Sequence, residues 1–337
     1  MSHSWADQKG FFMSRHYQIA TVFGGTGFVG RQVVRELALR GVIVKVATRV
    51  PERANYLRPC GAVGQIVPFI CRYGDAESVA HAVKGSDFVI NCVGILFERG
   101  KSSTFQKAHV EVPARIAQAC AVEGVERFVH VSSLSCDKAQ SKYAKSKLEG
   151  EKAVLANFPR ATILRPSVIF GPDDHFFKMF AELSRYVPCL PLIGGGHTQL
   201  QPVYVGDVAD AVMACLFTPR VREKHNPEGK IYELGGPEVL TFRQIYEKLF
   251  TYTERKRMLV SVPWGMAKVQ ASFLSLLPSP LLTCDQVETL KSDNVVSPGA
   301  YGFETLGLQP KSLDLILPGY LEGYRPGGKL AGSAYKT

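Results

Sequence analysis

The sequence predicts an α/β protein, a doubly wound parallel sheet with a smaller, mostly helical C-terminal part. Three observations predict it. Short apolar runs alternate with amphipathic stretches through the first half of the chain, and a glycine-rich turn directly follows the first run. Beyond Gly171-Pro172 the alternation loosens, and proline and aromatic residues become frequent. Strands spaced by helices require crossover connections, which build a parallel sheet covered on both faces.

Taken in order, 18–23 reads as a strand and 28–40 as an amphipathic helix. A strand at 42–47, a helix after Pro51, a strand at 65–70 and a helix at 77–84 follow. The run 87–92 is a strand, 103–123 a long helix, 127–132 a strand, 141–157 a helix and 161–164 the sixth strand. Short strands at 201–205 and 230–234 flank a helix at 207–216. We therefore expect a first domain from 17–171 plus 201–235 and a second from 172–200 plus 236–323. An extension, 1–16, would precede them and an exposed tail, 324–337, would follow.

Of 337 residues 46% are hydrophobic and 21% charged, which excludes wholesale disorder. Lys and Arg number 40 against 30 Asp and Glu, a balance of +10. It suggests an acidic partner: a phosphorylated ligand, an anionic membrane surface, nucleic acid or an acidic protein. The eight cysteines form no C-x-x-C pair and several lie in apolar runs, so buried thiols and a reducing compartment are expected. The most apolar stretch, 271–282, is too short to span a bilayer and carries Pro278 and Pro280. The N-terminus has neither secretory nor clear mitochondrial character, which fits a bacterial protein or a trimmed chain.

Gly24, Gly27 and Gly30 form G-x-x-G-x-x-G at the first strand–helix junction, with Phe28 and Val29 between the last two. This is the phosphate cradle of a Rossmann-type fold, with a tight turn, close backbone approach to a pyrophosphate and a helix N-terminus to receive it. An NAD site usually carries an acid about 20 residues on, at the end of the second strand. Here Arg49 stands there, and Arg31 follows the last glycine. Two guanidiniums without a carboxylate fit a 2′-phosphate, hence NADPH rather than NADH.

Tyr143 and Lys147 give Y-x-x-x-K, which puts phenol and ammonium on one helix face. A cation there favours the phenolate and brings tyrosine towards useful proton transfer. With the glycine turn, Asn91 in VINCVG and the VSS ending at Ser133, the chain resembles the extended and atypical short-chain dehydrogenases/reductases. GGTGFVGRQVV, LRPCGAVGQ, KSKLEGEK, RPSVIFGPDD and QPVYVGDVADAV resemble more narrowly the nucleotide-binding accessory subunits of respiratory complex I and their bacterial relatives. The resemblance covers about 17–300 and is strongest up to 210.

That resemblance implies that Gly24, Gly27 and Gly30 hold the pyrophosphate, and Arg31 and Arg49 the 2′-phosphate. It places Asp75 near the adenine, Val93, Gly94 and Ser132 along the cofactor, Tyr143 and Lys147 at the nicotinamide ribose, and Pro166 and Ser167 at the nicotinamide end. It implies other complex I subunits as partners and a peripheral place on the cytoplasmic face of a bacterial inner membrane, or the matrix face of a mitochondrial one. The chain departs from the active pattern at Leu134, where a Ser or Thr would hold a substrate carbonyl. Losing a positioned donor costs about 10²–10³ in rate, so weak or absent turnover is expected unless Ser133 or Ser135 has moved in. The alternative is an active NADPH-dependent reductase or epimerase acting on a sugar nucleotide, isoprenoid or quinone-like substrate.

His109, His130, His175 and His197 lack metal-ligand spacing and read as structural or surface residues. No G-x-S-x-G elbow surrounds Ser132, and Gly194-Gly195-Gly196 reads as a flexible turn. The spread basic residues carry no nucleic-acid-binding motif, so no nucleic-acid partner is expected. The apolar stretch 258–282, preceded by Arg255–Arg257, either closes the core of the second domain or rests on anionic lipid.

Overall fold

Apolar runs of four to six residues become the strands of one parallel sheet in the computed structural model, which describes residues 17–219, 226–275, 277 and 280–328. These are β1 (Ile19–Phe23), β2 (Ile43–Thr48), β3 (Ile66–Ile70), β4 (Phe88–Asn91), β5 (Arg127–Val131) and β6 (Thr162–Pro166). A seventh strand, Ile231–Leu234, pairs with β6, and the order across the sheet is Ile231–Leu234, β6, β5, β4, β1, β2, β3. Every pairing is parallel. All strands therefore end on one edge, and the reversal of order beside β1 opens a crevice there.

Helices α1 (Phe28–Leu39), α2 (Ala76–Val83), α3 (Val112–Val122) and α4 (Lys142–Asn157) connect the strands. Ala20 and Val22 of β1 bury against Val33, Val34 and Leu37 of α1, while Phe23 packs with Val79 of α2 and Ile116 of α3 on the opposite face. The strand's two-residue period thus feeds two cores. The helix expected after Pro51 is a 3₁₀ segment, Pro51–Cys60, with Pro59 inside it. The long helix expected over 103–123 is divided: a π-helical turn, Gln106–Glu111, precedes α3. Pro113, four residues after His109, has no amide to bond the His109 carbonyl, so the regular α ladder cannot close there. A Cβ on Gly150 of α4 would overlap the His109 carbonyl oxygen, so this turn rests directly on the helix that carries Tyr143.

The C-terminal part is assembled from α5 (Phe177–Tyr186), α6 (Val205–Phe217), α7 (Phe242–Thr253), α8 (Trp264–Leu274), α9 (Cys284–Thr289) and α10 (Leu313–Leu321). Of these, α6 returns to the main sheet through Val208, Val212 and Leu216. A separate cluster joins Phe177, Leu192, Tyr246 and Leu317. Short strands accompany the helices: Cys189–Ile193 lies parallel to Met258–Val262. The strand expected over 201–205 reduces to Val203–Tyr204, which pairs with Ile169–Phe170 outside the main sheet. All three glycines of 194–196 take positive φ, as a tight turn requires.

The eight cysteines are free thiols; Cys71, Cys120, Cys136 and Cys215 are buried, but Cys189 and Cys284 are exposed, contrary to expectation. The expected extension 1–16, the basic run at 220–224 and residues 329–337 of the expected tail lie outside the described residues. In the stretch 258–282, Ala267 and Ala271 are buried against Val287, whereas Met258, Met266, Val269 and Phe273 are exposed.

Candidate functional site

The glycine-rich turn leaves β1 at Gly24, whose φ is +74°, and a Cβ there would stand 2.9 Å from the Cys92 carbonyl oxygen. A Cβ on Gly30 would overlap the Gly24 carbonyl oxygen, so only glycine lets α1 begin this close to the strand. Gly27, Phe28 and Val29 form the entry to α1. Among the described residues no side chain caps this N-terminus, and no acid stands in its first turn. The free amides and the positive end of the helix dipole face the crevice and suit a pyrophosphate. Tyr73 fixes the turn to β2, donating to the Ala47 carbonyl at 2.7 Å and accepting from the Gly24 amide at 3.4 Å. Tyr73 is a site residue that sequence reasoning missed; an isolated tyrosine carries no pattern.

Arg49 lies exposed immediately after β2, and Arg31 sits in the first turn of α1 with its guanidinium 5.4 Å from the Phe28 ring centroid. Asp75 caps α2, accepting from the Glu77 amide at 3.1 Å. Val93 and Gly94 follow β4; Asn91 accepts from the Val93 amide at 3.0 Å, and a Cβ on Gly94 would lie 3.3 Å from Lys147 Nζ. Ser132 continues β5, and Pro166 and Ser167 end β6.

One helical turn of α4 separates Tyr143 from Lys147. Lys147 is 5% exposed, its Nζ 3.4 Å from the Val131 carbonyl oxygen. Burial pushes its pKa down to about 8, against the opposing influence of Cys136, Glu151 and Cys92. Tyr143 is raised by burial, with a hydrogen bond to Ser133 working the other way. The expectation that lysine would lower this tyrosine is therefore corrected, because desolvation prevails. Leu134 is buried, yet Ser133 reaches the phenol, which supplies a hydroxyl where Leu134 has none.

Behind the pair lie two histidines. The Ile95 amide donates to His109 Nε2 at 3.0 Å, so the ring proton is on Nδ1, 2.9 Å from Ser146 Oγ. Ser146 donates on to the Tyr143 carbonyl at 2.7 Å. Burial, then Lys147 and His130, hold the His109 pKa at about 2. Asn91 Nδ2 donates to His130 Nδ1 at 3.0 Å, and burial with Lys147 holds that ring at about 3. Both histidines are buried structural residues, in line with the sequence expectation, and His109 packs edge-on to Tyr143 at 5.3 Å. No group of three potential metal ligands is found among the described residues.

A strap running from α9 to residue 297 lies against the start of α4 and the 134–135 segment. Asp285 accepts the Lys142 and Tyr143 amides at 2.7 and 2.9 Å. Asn294 donates to the Leu134 carbonyl at 3.0 Å and accepts from Ser167 Oγ at 2.5 Å. Ser135 donates to the Asp293 carbonyl at 3.0 Å. Between the strap and Ser133, Leu134 and Tyr143 remains a cavity of about 30 Å³. One or two waters fill such a space, whereas ligand pockets run to about 300–1,000 Å³. A wider cleft of about 750 Å³ is lined by Phe97, Phe105, Lys142, Pro280 and Asp285, with the Phe105 ring edge-on to Tyr143 at 5.9 Å.

Comparison with known proteins agrees with the fold. Alpha subcomplex subunit 9 of mitochondrial NADH dehydrogenase [ubiquinone] 1 from Arabidopsis thaliana is 34% identical over 327 residues, covering 94% of this chain and 80% of that protein. Its Mus musculus counterpart is 36% identical over 302 residues, covering 88% and 78%. The crystal structure of the NADPH-dependent quinone oxidoreductase QOR2 of Escherichia coli, complexed with NADPH, superposes with a TM-score of 0.69 at 18% identity over 90% of this chain and 98% of that one. The model of the NAD dependent epimerase/dehydratase family matches residues 20–235, from β1 through the seventh strand. The chain belongs to that family, as its glycine-rich turn and Tyr–Lys helix predict.

Proposed function

We propose that this protein is an NADP(H)-binding accessory subunit of respiratory complex I, in which the nucleotide acts as a structural or sensing cofactor. One observation carries the reading: a glycine-rich turn and an uncapped helix start suited to a pyrophosphate share a sheet edge with a tyrosine against which the chain's own strap leaves only about 30 Å³. The subunit 9 relatives support the assembly. Arg31 and Arg49, with no acid at the end of β2, support the 2′-phosphate and hence NADPH. In this reading Gly24, Gly27, Phe28, Val29 and Gly30 hold the pyrophosphate, Lys147 and Tyr143 the nicotinamide ribose, and Val93, Gly94, Ser132 and Pro166 the rest of the groove. When bound, the cofactor would supply a hydride donor or acceptor; the protein orients it and excludes water.

The same proposal divides the chain into a nucleotide part (17–171 and 201–235) and a smaller one (172–200 and 236–323), supported by the separate apolar cluster around Tyr246. It places the protein peripherally at the cytoplasmic face of a bacterial inner membrane or at the matrix face of a mitochondrial one. No helix among the described residues is long and apolar enough to cross a membrane. Met266, Val269 and Phe273, exposed along α8, support contact with lipid.

Ser133, Tyr143 and Lys147 also support a second reading, an active reductase or epimerase whose substrate enters by the wider cleft. Purification separates the two. The accessory reading expects co-fractionation with complex I, NADPH released on denaturation, and no steady NADPH oxidation with carbonyl or quinone substrates. Turnover abolished by Tyr143→Phe would establish the enzyme instead.

A further inference from the structure

The two adjacent aspartates after Gly171-Pro172 have separate tasks. Asp174 is 2% exposed and anchors the turn: its carboxylate accepts from the Gly171, Phe176 and Lys178 amides at 3.1, 2.9 and 3.0 Å, and from the Tyr320 hydroxyl at 2.6 Å. With its neighbour fixed in this way, Asp173 takes a left-handed φ of +70°. Its Oδ1 accepts from Lys178 Nζ at 2.9 Å, and its Oδ2 lies 3.4 Å from Arg31 Nη1. An acid from the C-terminal side thus reaches an arginine in the first turn of α1.

We infer that Asp173 is the built-in counter-ion of Arg31 and yields its place to a phosphate of the incoming dinucleotide. The inference rests on the nucleotide-binding reading. Three features support it. The Asp173 side chain is 63% exposed and its contact with Arg31 is long, so the pair is weak and easily exchanged. A phosphate offers the guanidinium charge-assisted, bidentate bonds that the single contact with Asp173 does not. Lys178 keeps Asp173 paired after Arg31 has turned to the ligand, so exchange strands no charge. Apparent nucleotide affinity is accordingly held below what Arg31 alone would give.

The test compares the full chain with its Asp173→Asn variant by titration with NADPH, NADH and 2′,5′-ADP. Asparagine keeps the shape and tolerates the left-handed backbone. Asp173→Gly, which fits that backbone even better, is a second variant, and unchanged thermal unfolding certifies both folds. The variants are expected to bind NADPH and 2′,5′-ADP about two- to fivefold tighter, with the gain fading in high salt. NADH unchanged assigns the displacing group as the 2′-phosphate; NADH tightened equally assigns it as the pyrophosphate, and either supports the exchange. Unchanged or weaker binding of all three would overturn it. If neither wild type nor variants bind any of the three, the nucleotide reading itself fails and this proposal with it.

Discussion

Lys147 keeps its ammonium where burial disfavours charge, and the two histidines beside it answer by staying neutral. His109 and His130 take up protons in the folded protein only at about pH 2 and 3, against about 6.5 for an unperturbed ring. Between those limits the unfolded chain binds more protons than the native one, so stability falls as pH falls through that window. Each ring contributes up to about 1.4 kcal/mol per pH unit. Lys147 acts at the other end: from about pH 8 to 10.5 the native state has lost a proton that the unfolded state keeps, and stability rises with pH. Urea unfolding is therefore expected to show a loss of about 3 kcal/mol from pH 6.5 to 5, with the slope roughly halved in His109→Gln. A flat profile over that range would mean that the rings protonate in the native protein.

Helix α4 carries the Tyr–Lys pair, and one buried ion pair holds the helix to the sheet. Arg165 of β6 meets Glu151 side-on, Nε to Oε1 at 2.9 Å and Nη2 to Oε2 at 2.7 Å, with Asp137 on Nη1 at 2.8 Å. Glu151 is 2% exposed and stands one turn beyond Lys147. Removing one partner of such a pair leaves the other buried and uncompensated, at a cost of about 3–5 kcal/mol. Glu151→Ala is expected to lose that much in chemical denaturation and to release nucleotide faster, since Lys147 loses its support; a loss under 1 kcal/mol would show that Asp137 and Glu233 together satisfy Arg165. The Tyr–Lys spacing on this helix was legible from sequence because an i, i+4 relation is local. So were the main strands, whose apolar runs need no tertiary information. The π-helical turn at 106–111 had one local cue, Pro113, whose missing amide cannot bond the His109 carbonyl; the seat of that carbonyl on Gly150, some forty residues away, left none. The Asp285 clamp on α4 spans more than 140 residues and leaves no trace in local pattern.

At the scale of the whole molecule, the cleft is where distant parts of the chain meet: the glycine turn, the strand ends, the 171–178 turn and the strap. A ligand there touches segments that otherwise share few covalent neighbours, so its binding free energy is folding free energy for the assembly. Leu134 removes a hydroxyl beside Tyr143, and the strap leaves only about 30 Å³ between itself and that residue, so any substrate would have to reach Tyr143 from the wider cleft at Phe105 and Lys142. In the accessory-subunit reading proposed above, nucleotide would contribute chiefly stability. At a hundredfold excess over Kd the gain is about 2.7 kcal/mol, which for a chain of this length raises Tm by on the order of 5 °C. Thermal unfolding should show this rise with NADPH and a smaller one with NADH at equal concentration. The double variant Arg31→Ala, Arg49→Ala should erase the difference while leaving the common part, which the glycine turn and the α1 amides supply. Equal shifts for both nucleotides in the wild type would remove the arginines from cofactor selection, and no shift with either would remove the nucleotide from the stability of the fold.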